Sequence, residues 1–280
     1  MDKIFLCSDL DRTLLPNGRP PESPKARRLL RQAAKLPDLT LAYVTGRNRS
    51  LIQKAIEAYD LPLPAFAVGD VGTAIYRPDR NWEPLKSWTD EIRVSWQEKL
   101  APDLAVLLSD INGLHLQEGE HQTAFKLSYY ADLKTDPVFL RWEIKSRLAG
   151  HGIQAAVVWS VDEQKGIGLL DIVPKNATKH HAIRFLQERY GFQEDRIIFA
   201  GDSGNDLEAL TGGLQAVLVK NALPEVQQEA VRTMREKGMP ERLYLAQGGF
   251  MEMNGNYSAG VLEGLAHFLP ETAGWLACDP

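Results

Sequence analysis

Three short apolar runs each break off abruptly into a polar loop, two of them with glycine. Ile4–Cys7 leads into Asp9-Leu-Asp11-Arg-Thr13; Leu39–Val44 leads into Thr45-Gly46-Arg47; Ile197–Ala200 leads into Gly201-Asp202-Ser-Gly-Asn205-Asp206. A continuous apolar run suits a strand covered on both faces, as in a parallel sheet, whereas a half-solvated strand alternates. Helical patterns lie between the runs. In SPKARRLLRQAAKL the residues Ala26, Leu29, Leu30 and Ala33 fall on one face, with Ser23 as N-cap and Pro24 at the first helical position. The expected fold class is therefore α/β, a Rossmann-like parallel sheet with helices on both faces.

Between Trp82 and Asp171 the character changes. AFKLSYYA and AAVVWSV alternate apolar with polar residues, as antiparallel strands do, and DPVFLRWEIKSRLAGHG between them reads as a helix starting at Pro137. The expectation is an α/β core at 1–82 and 174–280 with an inserted α+β cap at 83–173, and 280 residues suffice for two such units. A formal net charge of −5 with no basic run argues against nucleic acid as a partner. No apolar run approaches the roughly 20 residues of a membrane span, and the N-terminus does not read as a signal peptide, so a cytoplasmic location is expected. Cys7 reads as a small buried hydrophobe and Cys278 as incidental, with no metal-type spacing or disulfide framework.

Ligands of open α/β sheets bind outside the carboxyl ends of the strands, so the three loops are expected to converge on one crevice. Carboxylates gathered there need a cation, and oxygen-only donors suit Mg²⁺. A metal held by few carboxylates normally works on phosphate, and a carboxylate beside it suggests an aspartyl-phosphate intermediate with a second aspartate as general acid and base. DLDRT, the strand ending in TGR, a later lysine and GDSGND together resemble the haloacid dehalogenase superfamily of phosphohydrolases, as does a cap placed between the second and third motifs. LAYVTGR, FKLSYY, VKNA and AGVLEGLAHF are further similar to segments of its sucrose-phosphatase group.

The resemblance implies a Mg²⁺-dependent sugar-phosphate phosphatase, with sucrose 6-phosphate as first substrate. Mannosylfructose phosphate, mannosyl-3-phosphoglycerate and trehalose 6-phosphate stand as alternatives. It implies Asp9 as nucleophile, Asp11 as general acid and base, Thr45 on the transferring phosphoryl group, and Asp9, the Asp11 backbone and Asp202 around the metal. Asp206 and Asn205 orient the metal or its waters or position the lysine, and Lys179, rather than Lys175, is the expected lysine. His180 stands where the family usually has glycine, and Arg12 carries no assigned role. Gly46, Arg47, Lys126, Tyr129 and Asn221 are the expected substrate contacts. Association with a glycosyltransferase (a synthase) is a further expectation, and the oligomeric state is left open. A phosphomutase would need a second phosphate site in the cap, and Arg141, Lys145 and Arg147 read as a solvated helix face instead. A non-catalytic sugar-phosphate sensor would lack at least one of Asp9, Asp11 and Asp202, and all are present. Neither a G-x-S-x-G elbow nor a P-loop occurs.

Overall fold

The structure is a computed structural model and describes residues 3–162 and 165–277; Cys278 lies outside them. The chain forms two compact units, 1–84 with 179–280, and 85–178.

The first unit is built from β1 (Ile4–Ser8), α1 (Ala26–Ala33), β2 (Leu39–Val44), α2 (Arg49–Ala58), β3 (Phe66–Gly69), β4 (Ala74–Arg77) and β5 (Glu83–Pro84). The second contributes α3 (Lys86–Arg93), α4 (Ala101–Leu107), β6 (Leu114–Leu116), β7 (Leu127–Ala131), α5 (Pro137–Gly150), β8 (Ala155–Asp162) and β9 (Ile167–Pro174). The first unit then resumes with α6 (Lys179–Tyr190), β10 (Ile197–Gly201), α7 (Leu207–Leu210), β11 (Gln215–Leu218), α8 (Pro224–Glu236), β12 (Leu243–Leu245), α9 (Ser258–Phe268) and α10 (Glu271–Ala277).

The first unit's sheet has the order β12-β11-β10-β1-β2-β3-β4-β5. Pairing is parallel from β12 to β3, and β4 and β5 join antiparallel. β1 lies between β2 and β10, the two other strands that lead into polar loops. All five residues of β1 are buried, which explains its unbroken apolar run. One face takes Ile4, Leu6, Leu41, Tyr43, Ile198 and Val217 into a core with Leu29 and Leu30 of α1 and Leu262 and Leu265 of α9. The opposite face carries Phe5, whose ring stacks on Phe192 at 4.2 Å beyond α6. Helices thus cover both faces, as expected from the apolar runs.

Helix α1 starts at Ala26 instead of at the expected cap, with no side-chain capping bond. The Ser23 hydroxyl accepts the Asn254 N–H at 2.9 Å, so it ties a distant loop and leaves the helix end uncapped. Helix α5 does start at Pro137, as expected, and the Asp136 carboxylate before it accepts the N–H groups of Val138 and Phe139.

The second unit is a four-stranded antiparallel sheet, order β6-β7-β9-β8. Leu127 and Tyr129 of β7 and Leu170 and Ile172 of β9 are buried, and by strand alternation they share one face. Leu140, Ile144 and Leu148 give α5 a buried apolar stripe. The units divide at 84/85 and 178/179 rather than at 82/83 and 173/174. Pairing of β5 with β4 holds Glu83 and Pro84 in the first sheet. The Lys175 N–H donates to the Gln154 carbonyl, and the Asn176 side chain bonds Ser95 and the Glu91 carbonyl, all within the second unit.

Candidate active site

The loops after β1 and β10 do converge, and the start of α6 joins them. Asp9 follows β1, its N–H donating to the Ala200 carbonyl at 2.9 Å, so the β1–β10 ladder runs into the loop that bears it. Asp202 and Asp206 follow β10, and Lys179 opens α6. Oxygens of Asp9, Asp202 and Asp206 lie within 4.8 Å of one another, and all three residues are buried. The Lys179 ammonium donates to Asp9 Oδ1 at 2.9 Å, Asp206 Oδ1 at 2.7 Å and Asn205 Oδ1 at 3.2 Å. Lys175 is exposed on the other unit.

Local sequence explains how such a cluster is held. Asp206 Oδ2 accepts the N–H groups of Asp202 and Ser203 and the Ser203 hydroxyl, each at 3.1 Å, so its own loop fixes that carboxylate. Gly201 is required beside it, because a Cβ there would lie 2.7 Å from Asp206 Cβ. His180 fits at the usual glycine position because Gly212 makes room: a Cβ on Gly212 would meet His180 Nε2 at 2.4 Å. Thr13 Oγ1 donates to Asp202 Oδ1 at 3.2 Å.

The electrostatics follow from burial. Desolvation pushes Asp9 up to about 7, against the opposing pull of Lys179, and Asp202 up to about 6, with Asp206 adding to the rise. Lys179 is held well above the ordinary lysine value by its two carboxylates, which overcome its desolvation. Three carboxylates face two cations, Lys179 and the Arg12 guanidinium, whose Nε is 3.4 Å from Asp202 Oδ2. One negative charge is left over. Asp202 Oδ2 is buried and receives no hydrogen bond, an arrangement that costs free energy unless a further cation meets it. A hard, oxygen-only donor set with an unsatisfied buried oxygen fits a divalent cation such as Mg²⁺.

Asp11 stands apart from the three. Its Oδ2 accepts Arg47 Nε at 2.7 Å, and its Oδ1 accepts Arg47 Nη2 at 2.6 Å and Asn17 Nδ2 at 2.7 Å. Though partial burial opposes it, this fork holds the Asp11 carboxyl below the usual carboxylate range. The expected Asp11 contribution to the metal site is thus not its carboxylate; the Asp9, Asp202 and Asp206 set supplies the clustered side chains. Thr45 is buried at the end of β2, and its hydroxyl oxygen accepts the Arg47 N–H at 3.3 Å. Gly46 is exposed, with open space where a Cβ would stand.

Sequence reasoning missed Asn17, although an asparagine six residues beyond Asp11 in a Pro-Asn-Gly turn is a readable signal. The Gly-rich stretch AVGDVGTAIY reads as a turn between two short strands, and it forms one at Asp70–Gly72 between β3 and β4. Asp70, Val71 and Gly72 all have positive φ, and the N–H groups of Asp70 and Val71 donate to the Arg47 and Gly46 carbonyls. For a β-branched valine that conformation is strained, and the strained turn pins the loop that carries Thr45 and Arg47.

The expected substrate contacts separate. Asn221 is occupied at both ends of its amide, donating to the Arg12 carbonyl at 2.6 Å and accepting the Tyr257 N–H at 2.8 Å. Lys126 and Tyr129 are both in the second unit, Lys126 one residue before β7 and Tyr129 within it. Tyr129 shares the face of Leu127, with its hydroxyl pushed up to about 12 by burial.

A model of the sucrose-6F-phosphate phosphohydrolase family matches residues 2–269. The chain is 57% identical over 275 residues to a HAD-like hydrolase of Nitrosococcus oceani, covering 98% of this chain and 74% of that one. It is 28% identical to the mannosylfructose-phosphate phosphatase of Agrobacterium fabrum, over 94% of this chain and 96% of the relative. The sucrose-phosphatase of Synechocystis sp., solved in complex with sucrose and phosphate, is similar with a TM-score of 0.71 and 25% identity, over 96% of this chain and 98% of that one. With its buried aspartates and lysine at the ends of β1 and β10, the chain belongs to the sucrose-6F-phosphate phosphohydrolase family of haloacid dehalogenase-type sugar-phosphate phosphatases.

Proposed function

We propose that the protein hydrolyses sucrose 6-phosphate with Mg²⁺, through a phosphoryl group carried on Asp9. The observation that carries this reading is Asp9 itself, a buried carboxylate at the end of β1, bonded to Lys179 within a cluster one positive charge short of balance. Asp9 and Asp202 would hold the cation, with Asp206 fixing Lys179 beside them. When bound, that cation supplies positive charge that lets an anionic phosphate approach anionic groups.

A carboxylate oxygen of Asp9 attacks phosphorus as the bond to the sugar oxygen breaks, and Asp11 supplies the proton that the sugar oxygen takes up. Water then attacks phosphorus, giving its proton to Asp11, and the Asp9–phosphorus bond breaks to release inorganic phosphate. Thr45 and the Gly46 backbone line the phosphoryl position in this reading. In the present geometry Asp11 is ionised, the form that accepts a proton from water. Donating one first requires Arg47 and Asn17 to release it. Substrate choice is assigned to the 85–178 unit, with Lys126 as its candidate contact.

The family match and the sucrose-bound structural relative support sucrose 6-phosphate. The Agrobacterium relative supports mannosylfructose phosphate as the second reading. Phosphate release from both, with trehalose 6-phosphate, mannosyl-3-phosphoglycerate and hexose monophosphates, in Mg²⁺ and in EDTA, decides between them. The expected result is one disaccharide phosphate turned over far faster than the rest and only with the metal. Equal turnover of hexose monophosphates, or full activity in EDTA, would refute the reading.

A further inference from the structure

Arg12 occupies a backbone conformation that disfavours it. Its φ is 58°, in the left-handed region where glycine costs nothing and a long side chain costs roughly 1 kcal/mol. The conformation is imposed from both sides: the Arg12 N–H donates to Asn17 Oδ1 at 2.8 Å, and the Arg12 carbonyl accepts Asn221 Nδ2 at 2.6 Å. With its backbone held, the side chain passes Gly18, where a Cβ would lie 3.7 Å from Arg12 Cγ and Nε. It ends with Nε 3.4 Å from Asp202 Oδ2. That oxygen is buried and receives no hydrogen bond. The guanidinium is thus at ion-pair range yet makes no hydrogen bond among the described residues, and its side chain is 39% exposed against 1% for Asp202. It neutralises the carboxylate without closing over it, and it has solvent to retreat into.

We propose that Arg12 is a positioning residue that stands in for the divalent cation on Asp202, stabilising the metal-free protein and setting a weaker metal affinity than the three carboxylates would otherwise have. The inference rests on the metal reading given above. It goes beyond it in assigning a role to a residue whose ion pair in the cluster is with Asp202. A cation arriving at Asp202 must displace a like charge from its neighbourhood. The separation is a few ångströms, where such repulsion is several times the thermal energy even at an effective dielectric near ~20. Binding therefore includes moving the guanidinium away, and the protein trades metal affinity for a folded metal-free state with one uncompensated negative charge fewer.

The test is calorimetric titration of Mg²⁺ into the metal-stripped full chain, with melting temperatures recorded in EDTA and in Mg²⁺. Arg12→Asn removes the charge while keeping a side chain that tolerates left-handed φ, and Arg12→Lys keeps the charge. The expected result for Arg12→Asn is a Kd about tenfold lower than wild type and a metal-free melting temperature that falls while the Mg²⁺-loaded one does not. Arg12→Lys should stay within about threefold of wild type. An Arg12→Asn Kd within about twofold of wild type or weaker overturns the inference. So does an equal fall of both melting temperatures at unchanged Kd, the mark of a merely structural side chain. If the wild-type protein itself takes up no Mg²⁺, the metal reading fails and this inference with it.

Discussion

Two lysines, one in each unit, are withdrawn from solvent to similar degrees and live in opposite surroundings. Lys179 donates to two carboxylates and an amide oxygen, with 11% of its side chain exposed. Lys126 is 8% exposed and makes no ion pair among the described residues. Burying a charge costs several kcal/mol unless partners replace the lost water. Lys179 has its partners in the protein and is part of a built electrostatic site. Lys126 is in the position of a cation whose partner comes from outside, which is why a phosphorylated or hydroxyl-rich ligand is the natural candidate. The first unit thus carries its chemistry in closed internal contacts, and the second in a group left open. Substitutions should therefore act on the first through stability and turnover together, and on the second through substrate affinity alone.

The sharpest way to break this comparison is Asp9→Asn. Turnover should fall by about a thousandfold or more, as removal of a nucleophile does, while circular dichroism stays native because Ile4, Phe5, Leu6 and Cys7 supply the burial of β1. Activity within tenfold of wild type would end the nucleophile assignment. Next in size is Lys179→Met, which strands Asp9 and Asp206 in the interior. Breaking such a buried network costs about 3–5 kcal/mol, read as a lowered denaturation midpoint, and turnover falls with it. Because Asp9 is one of the groups stranded, Asp9→Asn and Lys179→Met together should destabilise by less than the sum of the two. Strict additivity would mean that the contact has little energetic content.

Lys126→Met tests the other half. With no protein partner to strand, folding stability should hold. KM for the preferred sugar phosphate should rise about tenfold with kcat little changed, the pattern of a uniform binding contact. An unchanged KM with a lowered melting temperature would make Lys126 a structural lysine and remove the contrast with Lys179.

The same contrast explains what could be read from the chain. Parallel strands buried on both faces are continuous apolar runs, and their loops are the only places left for polar clusters; hence β1, β2 and β10, and with them Asp9, Thr45 and Asp202, were legible. Lys179 was legible by its place at the start of α6. What failed was what depends on distant partners. Ser23 has the chemistry of a helix cap but serves Asn254 across the fold. Asn221 ties Arg12 to Tyr257 across the fold, a link that no local spacing announces. β12 is three residues long and is defined only by its pairing with β11. In the second unit alternation announced strands but not their order: β7 and β8 are separated by β9, whose sequence had marked the end of the insertion.

The smallest expected effect calibrates the largest. Arg196, at the edge of β10, pairs with Glu271 at the start of α10 at 2.5 Å, and the glutamate side chain is 42% exposed. Hydrogen bonding to Arg196, then to backbone, holds the Glu271 carboxyl below its ordinary 4.5. A depressed carboxylate pKa means that the native state prefers the ionised form. The pair's contribution is therefore present above pH 4.5 and lost as pH falls through the lower, folded value. Solvent screening limits it to roughly 0.5 kcal/mol. Glu271→Gln should accordingly lower the urea midpoint slightly at pH 7 and leave it unchanged near pH 3. Lys179→Met, measured in parallel at pH 7, should cost several times more, because its carboxylates have no water to fall back on. Equal losses from the two substitutions would mean that burial adds nothing to the Lys179 cluster, and the contrast between a closed and an open lysine would lose its energetic basis.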